Sequence, residues 1–135
     1  MGERQPKTPE TAAQKEALVR EMLDRVGDKW TLLVIEELGS GGEMRFTQLR
    51  DRIGGVSQKM LTKTLRDLER DGLLTRRVHA VVPPRVDYKL TKLGEALGEA
   101  VCGIWTWVDK HMKEVERSRH AYDRKQASRP RVEDA

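Results

Sequence analysis

The feature that most constrains the fold of this chain is a pair of short amphipathic patterns separated by only Gly54, Gly55 and Val56. Apolar residues recur at helical spacing in "FTQLRDRI" before this break and in "SQKMLTKTLRDLER" after it. Ser57 is a suitable N-cap for the second helix, and glycines commonly end a helix such as the first. Two short helices joined by so tight a turn indicate a helix-turn-helix.

The second helix, predicted over about residues 57–71, divides its side chains between two faces. The face predicted to enter the core consists of Met60, Leu61, Leu65 and Leu68, with Thr64 among them. The other face is basic, has side chains that can form hydrogen bonds and contains no acid. We call this face the polar stripe; it comprises Gln58, Lys59, Thr62, Lys63 and Arg66.

A basic helix face is often only solvated, but its position on the second helix of a helix-turn-helix favours DNA recognition. In a major groove, Gln and Arg side chains read base edges, and Lys and Thr side chains reach phosphates. The polar stripe is therefore predicted to contact DNA. Ser57 is predicted to act mainly as the cap, with a secondary phosphate contact, because its hydroxyl points the same way as the first amides of the helix.

The flanking sequence predicts the rest of a winged helix-turn-helix, a mainly α fold with a small β-hairpin wing. The expected elements are, in order, a helix over about 9–26 capped by Thr8, a helix from Asp28 to the glycines at 39–42, an extended piece at 44–46, the helix capped by Thr47, the recognition helix, strands at 74–78 and 86–90, and a long helix over about 91–119. Residues 9–119 are expected to form the domain. Residues 1–8 and 120–135 are polar and are predicted to be flexible tails.

Basic residues also mark the predicted wing, the hairpin loop over about 79–86. Arg85 follows Pro83-Pro84, and prolines restrict a loop, so we expect its guanidinium to contact the minor groove or the DNA backbone. Arg76 and Arg77 alternate along a strand, so at most one of them faces DNA. The further candidate contacts, on the hairpin arm and at the strand-to-helix junction, are Arg76, Arg45 and Gln48.

The long C-terminal helix carries an apolar seam with steps of three and four residues, which is typical of helices that pair with a second copy. We expect a homodimer in which the first helix contributes to the same interface. The predicted interface residues are Leu18, Met22, Leu97, Val101, Ile104, Trp105, Val108, His111, Met112 and Val115. Of Trp105 and Trp107, one is expected in the core and the other at the interface or a pocket wall.

Composition excludes several classes of protein. The chain has 135 residues and a formal charge of +4, and the excess positive charge lies between residues 41 and 90, as expected for a polyanion-binding region. Cys102 is the single cysteine, so an internal disulfide framework is excluded. No metal-ligand spacing, secretory signal or membrane span is present, which predicts a cytoplasmic protein without metal or cofactor.

Three phrases in the chain resemble the HxlR-type winged-helix transcriptional regulators, which are relatives in fold of the MarR type. The phrases are "GDKWTLLVIEEL", "RFTQLRDRIGGVSQKMLTKTLRDLERDGLLTRRV" and "VPPRVDYKLTKLGEAL", which together span about Gly27 to Leu97. The resemblance implies a dimer that binds operator DNA and represses or activates nearby genes. Several members of the family sense electrophiles or oxidants through a cysteine about thirteen residues before the tryptophan of "KW", but here that position is Ala17.

Other functions are weighed against DNA binding. An enzyme is disfavoured because no catalytic constellation or phosphate loop appears, and "LGSGGEMR" lacks the lysine and hydroxyl of a P-loop. A winged helix that binds protein instead of DNA is the alternative, and an unknown small-molecule effector is a further expected partner. Cys102 is predicted to be a small buried hydrophobe, with an intersubunit disulfide as its alternative.

Overall fold

The computed structural model describes residues 11–129 and has the element order of a winged helix-turn-helix. The helices and strands are α1 (Ala12–Gly27), α2 (Lys29–Gly41), β1 (Met44–Arg45), α3 (Phe46–Ile53), α4 (Gln58–Arg70), β2 (Leu74–His79), β3 (Arg85–Leu90) and α5 (Lys92–Ser128). The chain divides into two structural units, with the boundary inside α5 between Glu99 and Ala100. The predicted fold class is confirmed.

Helix caps explain where most helices begin. Asp28 Oδ1 accepts a hydrogen bond from the Trp30 amide at 3.2 Å, and Ser57 Oγ accepts one from the Met60 amide at 3.1 Å, so both predicted caps are confirmed. The first helix starts later than expected. Thr11 caps α1 in a reciprocal arrangement with Gln14, whereas the expected cap Thr8 lies outside the described residues.

The start of α3 also differs from the prediction, which placed the cap at Thr47. The helix begins at Phe46, and Gln48 Oε1 accepts a hydrogen bond from the Arg45 amide at 3.1 Å. A glutamine at the third helical position satisfies the amide of the N-cap residue, which is one half of a capping box. At the other end, Gly54 and Gly55 have positive φ angles of 70° and 71°, which side-chain-bearing residues rarely adopt. They make the predicted tight turn into α4.

Within the described residues, the strands form an antiparallel sheet in the order β1-β3-β2. Tyr88 of β3 pairs with Met44 on one side and Arg76 on the other, and the next residue, Asp87, pairs with Arg45 and Arg77. Because side chains alternate across a strand, this register gives the sheet one face that shares Tyr88 and another that shares Asp87. The two predicted hairpin strands are confirmed, each one residue longer.

The core lies between α2, α3, α4 and the sheet. Its buried apolar side chains include Val34, Ile35, Leu38, Leu49, Leu61, Leu65, Leu68, Leu74 and Leu90. Three leucines of α4 are therefore buried as predicted, and their burial turns the opposite face of α4 to the surface. Met60 differs from the prediction, because it precedes this apolar stripe by one position and remains exposed.

Helix α5 extends to Ser128, well beyond the expected end at Arg119. Residues 120–128 were predicted to be a tail because they are polar, but they include good helix formers and no proline before Pro130, so the helix continues. The prediction of a flexible tail is therefore corrected for these residues, and residues 130–135 lie outside the described part.

Two expectations for the helix after Glu99 are also corrected. Trp105 and Trp107 are both exposed, so neither is the predicted core residue. Cys102 is exposed rather than buried, because one step along a helix turns it about 100° from the buried Val101.

Gly94→Ala should destabilise the protein by about 2 kcal/mol or more. A methyl group at this position would overlap the backbone carbonyl oxygen of Leu73 and approach Leu90 Cδ2 to 3.1 Å, so α5 or the β2 start must shift. Urea denaturation followed by circular dichroism measures the change. Gly27→Ala is the matched control, because nothing lies within 4 Å of the added carbon. It should raise stability by up to about 1 kcal/mol, and an equal loss in both variants would contradict the steric explanation.

Candidate nucleic-acid interface

The polar stripe lies on the surface of α4. Gln58, Lys59, Lys63 and Arg66 are exposed and Thr62 is half-buried, and all five line one shallow surface depression. They lie on one face because their spacing follows the helical repeat, and the buried leucines hold that face outward. Ser57, at the start of the same helix, is also exposed, and its hydroxyl oxygen accepts a hydrogen bond from the Met60 amide.

Arg76 extends this basic surface from the helix to the sheet. It lines a second depression together with Thr62 and Arg66 of the polar stripe and with Glu69 and Tyr88. The pairing of Arg76 with Tyr88 across the strands gives it this position, whereas Arg77 shares the other face of the sheet with Asp87. One arginine of the adjacent pair therefore lies beside the recognition helix, as strand alternation predicts.

The polar stripe is bordered by an acid, which corrects the prediction of an acid-free surface. Asp67 lines the same depression, and its Oδ2 lies 3.3 Å from Lys63 Nζ. The same oxygen lies 3.1 Å from Arg25 Nη1 of α1, and Arg25 Nε donates a hydrogen bond to Asp71 Oδ2 at 2.7 Å.

Arg25 is the residue at this site that sequence reasoning missed. The hydrogen bond to Asp71 raises the pKa of Arg25, and the charges of Asp71, Asp67 and Asp28 add to this effect against partial desolvation. No sequence pattern predicts this contact, because Arg25 lies far from α4 in the chain. Only the packing of α1 brings the guanidinium to these carboxylates.

A second group of predicted contacts lies where β1 meets α3 and β3. Arg45, Gln48 and Arg85 line a common depression that also includes Thr47 and Asp87. Gln48 uses its carbonyl oxygen to cap α3, which leaves its amide group free to donate. Sequence reasoning proposed these residues separately, and the pairing of β1 with β3 brings them together.

Arg85 is not the loop-tip residue that the sequence suggested. It is the first residue of β3, pairs with His79 and is half-buried. Its Nε lies 3.5 Å from Asp87 Oδ2, but this atom makes no hydrogen bond within the described residues. Its Nη2 lies 3.4 Å from His79 Nε2. The guanidinium is therefore drawn back along the strand toward Asp87.

Asp87 organises this end of the hairpin, and sequence reasoning missed it together with His79. Its carboxylate is only 8% exposed, and His79 Nε2 donates a hydrogen bond to Asp87 Oδ2 at 2.8 Å. Burial of a carboxylate is costly unless cations or donors compensate it. The neighbouring histidine and arginine provide that compensation, so their side chains have defined positions.

The predicted interface residues have different exposures in the single chain. Met22 and Leu97 pack against the core of their own chain and Val101 is buried, so these three offer little area to a partner. His111 and Val115 are half-buried. The exposed members are Leu18, Ile104, Trp105, Val108 and Met112.

Residues 11–129 contain neither a metal-binding cluster nor a membrane-spanning helix. No group of three or more His, Cys, Asp or Glu side chains there is arranged to hold a metal ion. None of the helices in this range is both long enough and apolar enough to cross a membrane.

Comparison with known proteins relates this geometry to a family. The family described as HxlR-like helix-turn-helix matches residues 25–116. The chain is 45% identical over 96 residues to the HTH-type transcriptional regulator YtfH of Escherichia coli (strain K12), and the alignment covers 71% of this chain and 75% of YtfH.

Solved structures agree with this match. The transcriptional regulator ytfH from Salmonella typhimurium superposes with a TM-score of 0.67 at 40% identity, covering 76% of this chain and 90% of that one. The redox regulator HypR in its oxidised form superposes with a TM-score of 0.62 at 35% identity, covering 69% of this chain and 95% of HypR. The stretch matched by the family contains the polar stripe and the whole hairpin. The chain therefore belongs to the HxlR-like helix-turn-helix family and is a DNA-binding transcriptional regulator.

Proposed function

We propose that the protein is a homodimeric repressor that binds a pseudo-palindromic operator in the cytoplasm, with α4 in the major groove. The observation that carries this proposal is the polar stripe, exposed on the second helix of the helix-turn-helix. Gln58 and Arg66 would read base edges, and Lys59, Thr62 and Lys63 would reach phosphates. The exposed Ser57 and the first amides of α4 would hold one more phosphate.

The hairpin would add contacts beside those of α4. Arg76 shares a depression with Thr62 and Arg66, which supports a phosphate contact continuous with the polar stripe. Arg85 would contact the minor groove or the backbone, with its guanidinium oriented by Asp87. Arg45 and Gln48 share a depression with Arg85, which supports a further backbone contact at the start of α3.

A homodimer is supported by exposed apolar side chains on two helices. In α1, Leu18, Val19 and Leu23 are exposed, and in α5 the exposed members of the seam include Ile104 and Val108. Apolar side chains at this density are usually covered by a partner. Two recognition helices in one dimer would contact half-sites about 34 Å apart, one turn of the double helix.

The alternative is a winged helix that binds a protein rather than specific DNA, and a small-molecule effector stays a prediction for either function. The resemblance to HypR, a redox regulator, concerns the fold. Ala17 replaces the cysteine of the family's redox switch, so we propose no thiol switch at that position. We also propose that the protein has no catalytic activity of its own.

Lys63→Glu should weaken binding to the preferred genomic fragment by about tenfold or more. Log affinity should also fall less steeply with log salt concentration, with the magnitude of the slope reduced by about one. The side chain is 70% exposed and contributes nothing to the core, so the melting temperature should be unchanged. Fluorescence anisotropy across a salt series measures both quantities. Lys15→Glu, the same charge change on the exposed side of α1, is the control and should have little effect. Salt-independent binding by the wild type would support the protein-binding alternative instead.

Asp87→Asn should weaken DNA binding by about fivefold, although it removes a negative charge near the proposed DNA surface. The reason is that Arg85 and His79 lose the carboxylate that orients them, and one anchoring contact contributes about 1 kcal/mol. Arg85→Ala should weaken binding by a similar factor and uniformly across DNA sequences, and the two substitutions together should cost little more than either alone.

Asp51→Asn is the control for charge, because Asp51 is an exposed acid on α3. It should leave binding unchanged or slightly stronger. Tighter binding by Asp87→Asn would mean that the carboxylate only repels DNA and does not orient the hairpin.

Ile104→Asp should make the protein monomeric and reduce its DNA affinity at the same time. Two unpaired carboxylates would be buried across the twofold axis, at a cost of several kcal/mol. Sedimentation velocity measures the oligomeric state. Thr106→Asp introduces the same charge on the same helix outside the seam and should remain dimeric. If Ile104→Asp also sediments as a dimer, the interface lies on another surface.

A further inference from the structure

Two carboxylates lie close to the polar stripe, and their negative charge opposes the binding of DNA. Asp67 lines the depression formed by the stripe, and Asp71 follows one turn later. Carboxylates beside a DNA-binding face repel phosphates and compete with them for nearby cations. Lys63 illustrates the competition, since its Nζ already lies 3.3 Å from Asp67 Oδ2.

The compensating charge comes from another helix. Arg25, near the end of α1, contacts both carboxylates, with Nη1 3.1 Å from Asp67 Oδ2 and Nε 2.7 Å from Asp71 Oδ2. Its side chain is only 24% exposed, whereas Lys63 is 70% exposed. Both cations therefore contact the same oxygen of Asp67, but Arg25 does so from a mostly buried position and Lys63 from an exposed one. The half-buried arginine forms the stronger of the two pairs, because exposed pairs are screened by water and salt.

We propose that Arg25 is a positioning residue for DNA recognition: it neutralises Asp67 and Asp71 and thereby leaves Lys63 free to contact a phosphate. The proposal rests on the proposed function of the polar stripe. When DNA approaches, Lys63 exchanges Asp67 for a phosphate, and Asp67 keeps Arg25 as its partner. Without Arg25, Lys63 would be the only cationic partner of the Asp67 carboxylate among the described residues, and once Lys63 bound a phosphate an uncompensated carboxylate would face the DNA.

The charge balance of this cluster shows why one arginine matters. Arg25 and Lys63 match Asp67 and Asp71, so the four groups are neutral together. Removal of Arg25 gives the cluster a charge of −1, which reverses its effect on a polyanion. The raised pKa of Arg25 supports this account, because it reflects the favourable field of the same carboxylates.

The proposal makes α1 part of the DNA-binding mechanism without a DNA contact. Leu18, Val19 and Leu23 are exposed on this helix, so whatever covers them also acts on the helix that carries Arg25. A displacement of α1 that withdrew the guanidinium would weaken DNA binding through Asp67 and Lys63.

The test is a mutant cycle between α1 and α4, with affinity for the preferred genomic fragment measured at several salt concentrations. Arg25→Met keeps the apolar stem but removes the charge, and should weaken binding by about fivefold. Asp67→Asn should strengthen binding by about two- to fivefold, because it frees Lys63 and removes a negative charge. In the Asp67→Asn background, Arg25→Met should cost about twofold or less.

The sign of the Asp67→Asn effect separates this role from a merely structural one. If Arg25 only tethered α1 to α4, Asp67→Asn would remove part of the tether and weaken binding, which would overturn the proposal. Arg25→Lys should recover most of the affinity lost in Arg25→Met, because it restores the charge. Should Arg25→Met fail to fold, Arg25→Gln replaces it in both backgrounds, with the same losses expected.

Arg20→Met is the matched control. It removes the same charge from the same helix, but Arg20 is exposed and, within residues 11–129, pairs only with Glu16, so affinity should stay within about twofold. An equal loss in Arg20→Met would overturn the proposal, because general charge would then explain the effect. The proposed function has its own test: if Lys63→Glu binds as the wild type does, α4 is not the DNA-binding helix. If Lys63→Glu loses affinity while Asp67→Asn gains none, only the role of Arg25 fails.

Discussion

Burial of the leucine face of α4 is the interaction on which the rest of the structure depends. Leu61, Leu65 and Leu68 are almost completely buried among side chains of α2, α3 and the sheet. A buried leucine side chain contributes roughly 1.5–3 kcal/mol, so rotation of α4 about its axis would lose several kcal/mol. The face opposite these leucines must then be on the surface. The same burial that stabilises the fold therefore orients the polar stripe.

Carboxylates have an unexpected part in the surface proposed to bind DNA. Asp67 borders the polar stripe and Asp87 lies at the end of the hairpin, and each contacts two cationic or donor side chains. A long cationic side chain loses much conformational freedom when it is held in one place. Asp87 holds Arg85 and His79 in place in this way, at the expense of some net positive charge. Asp67 differs from it, because its charge competes for Lys63 and is compensated by Arg25.

The two structural units contribute differently to a regulator of this family. The unit up to Glu99 contains the core, the helix-turn-helix and the hairpin, and its apolar side chains form a common cluster. Beyond Glu99, α5 continues as a helix with exposed Ile104, Trp105 and Met112. A single helix cannot form a core of its own, which is why exposed apolar groups along it are an argument for a second chain.

Much of this protein could be predicted from the sequence, because its elements have local causes. The periodicity of α4, the caps Asp28 and Ser57 and the Gly54-Gly55 turn act over a few residues, so the winged helix-turn-helix and the polar stripe followed from them. Only the tertiary structure decided which groups from distant elements meet. The packing of α1 brings Arg25 to Asp67, and the pairing of β2 with β3 brings His79 to Asp87. Such contacts depend on how helices and strands pack in space, so the spacing of residues along the chain does not predict them.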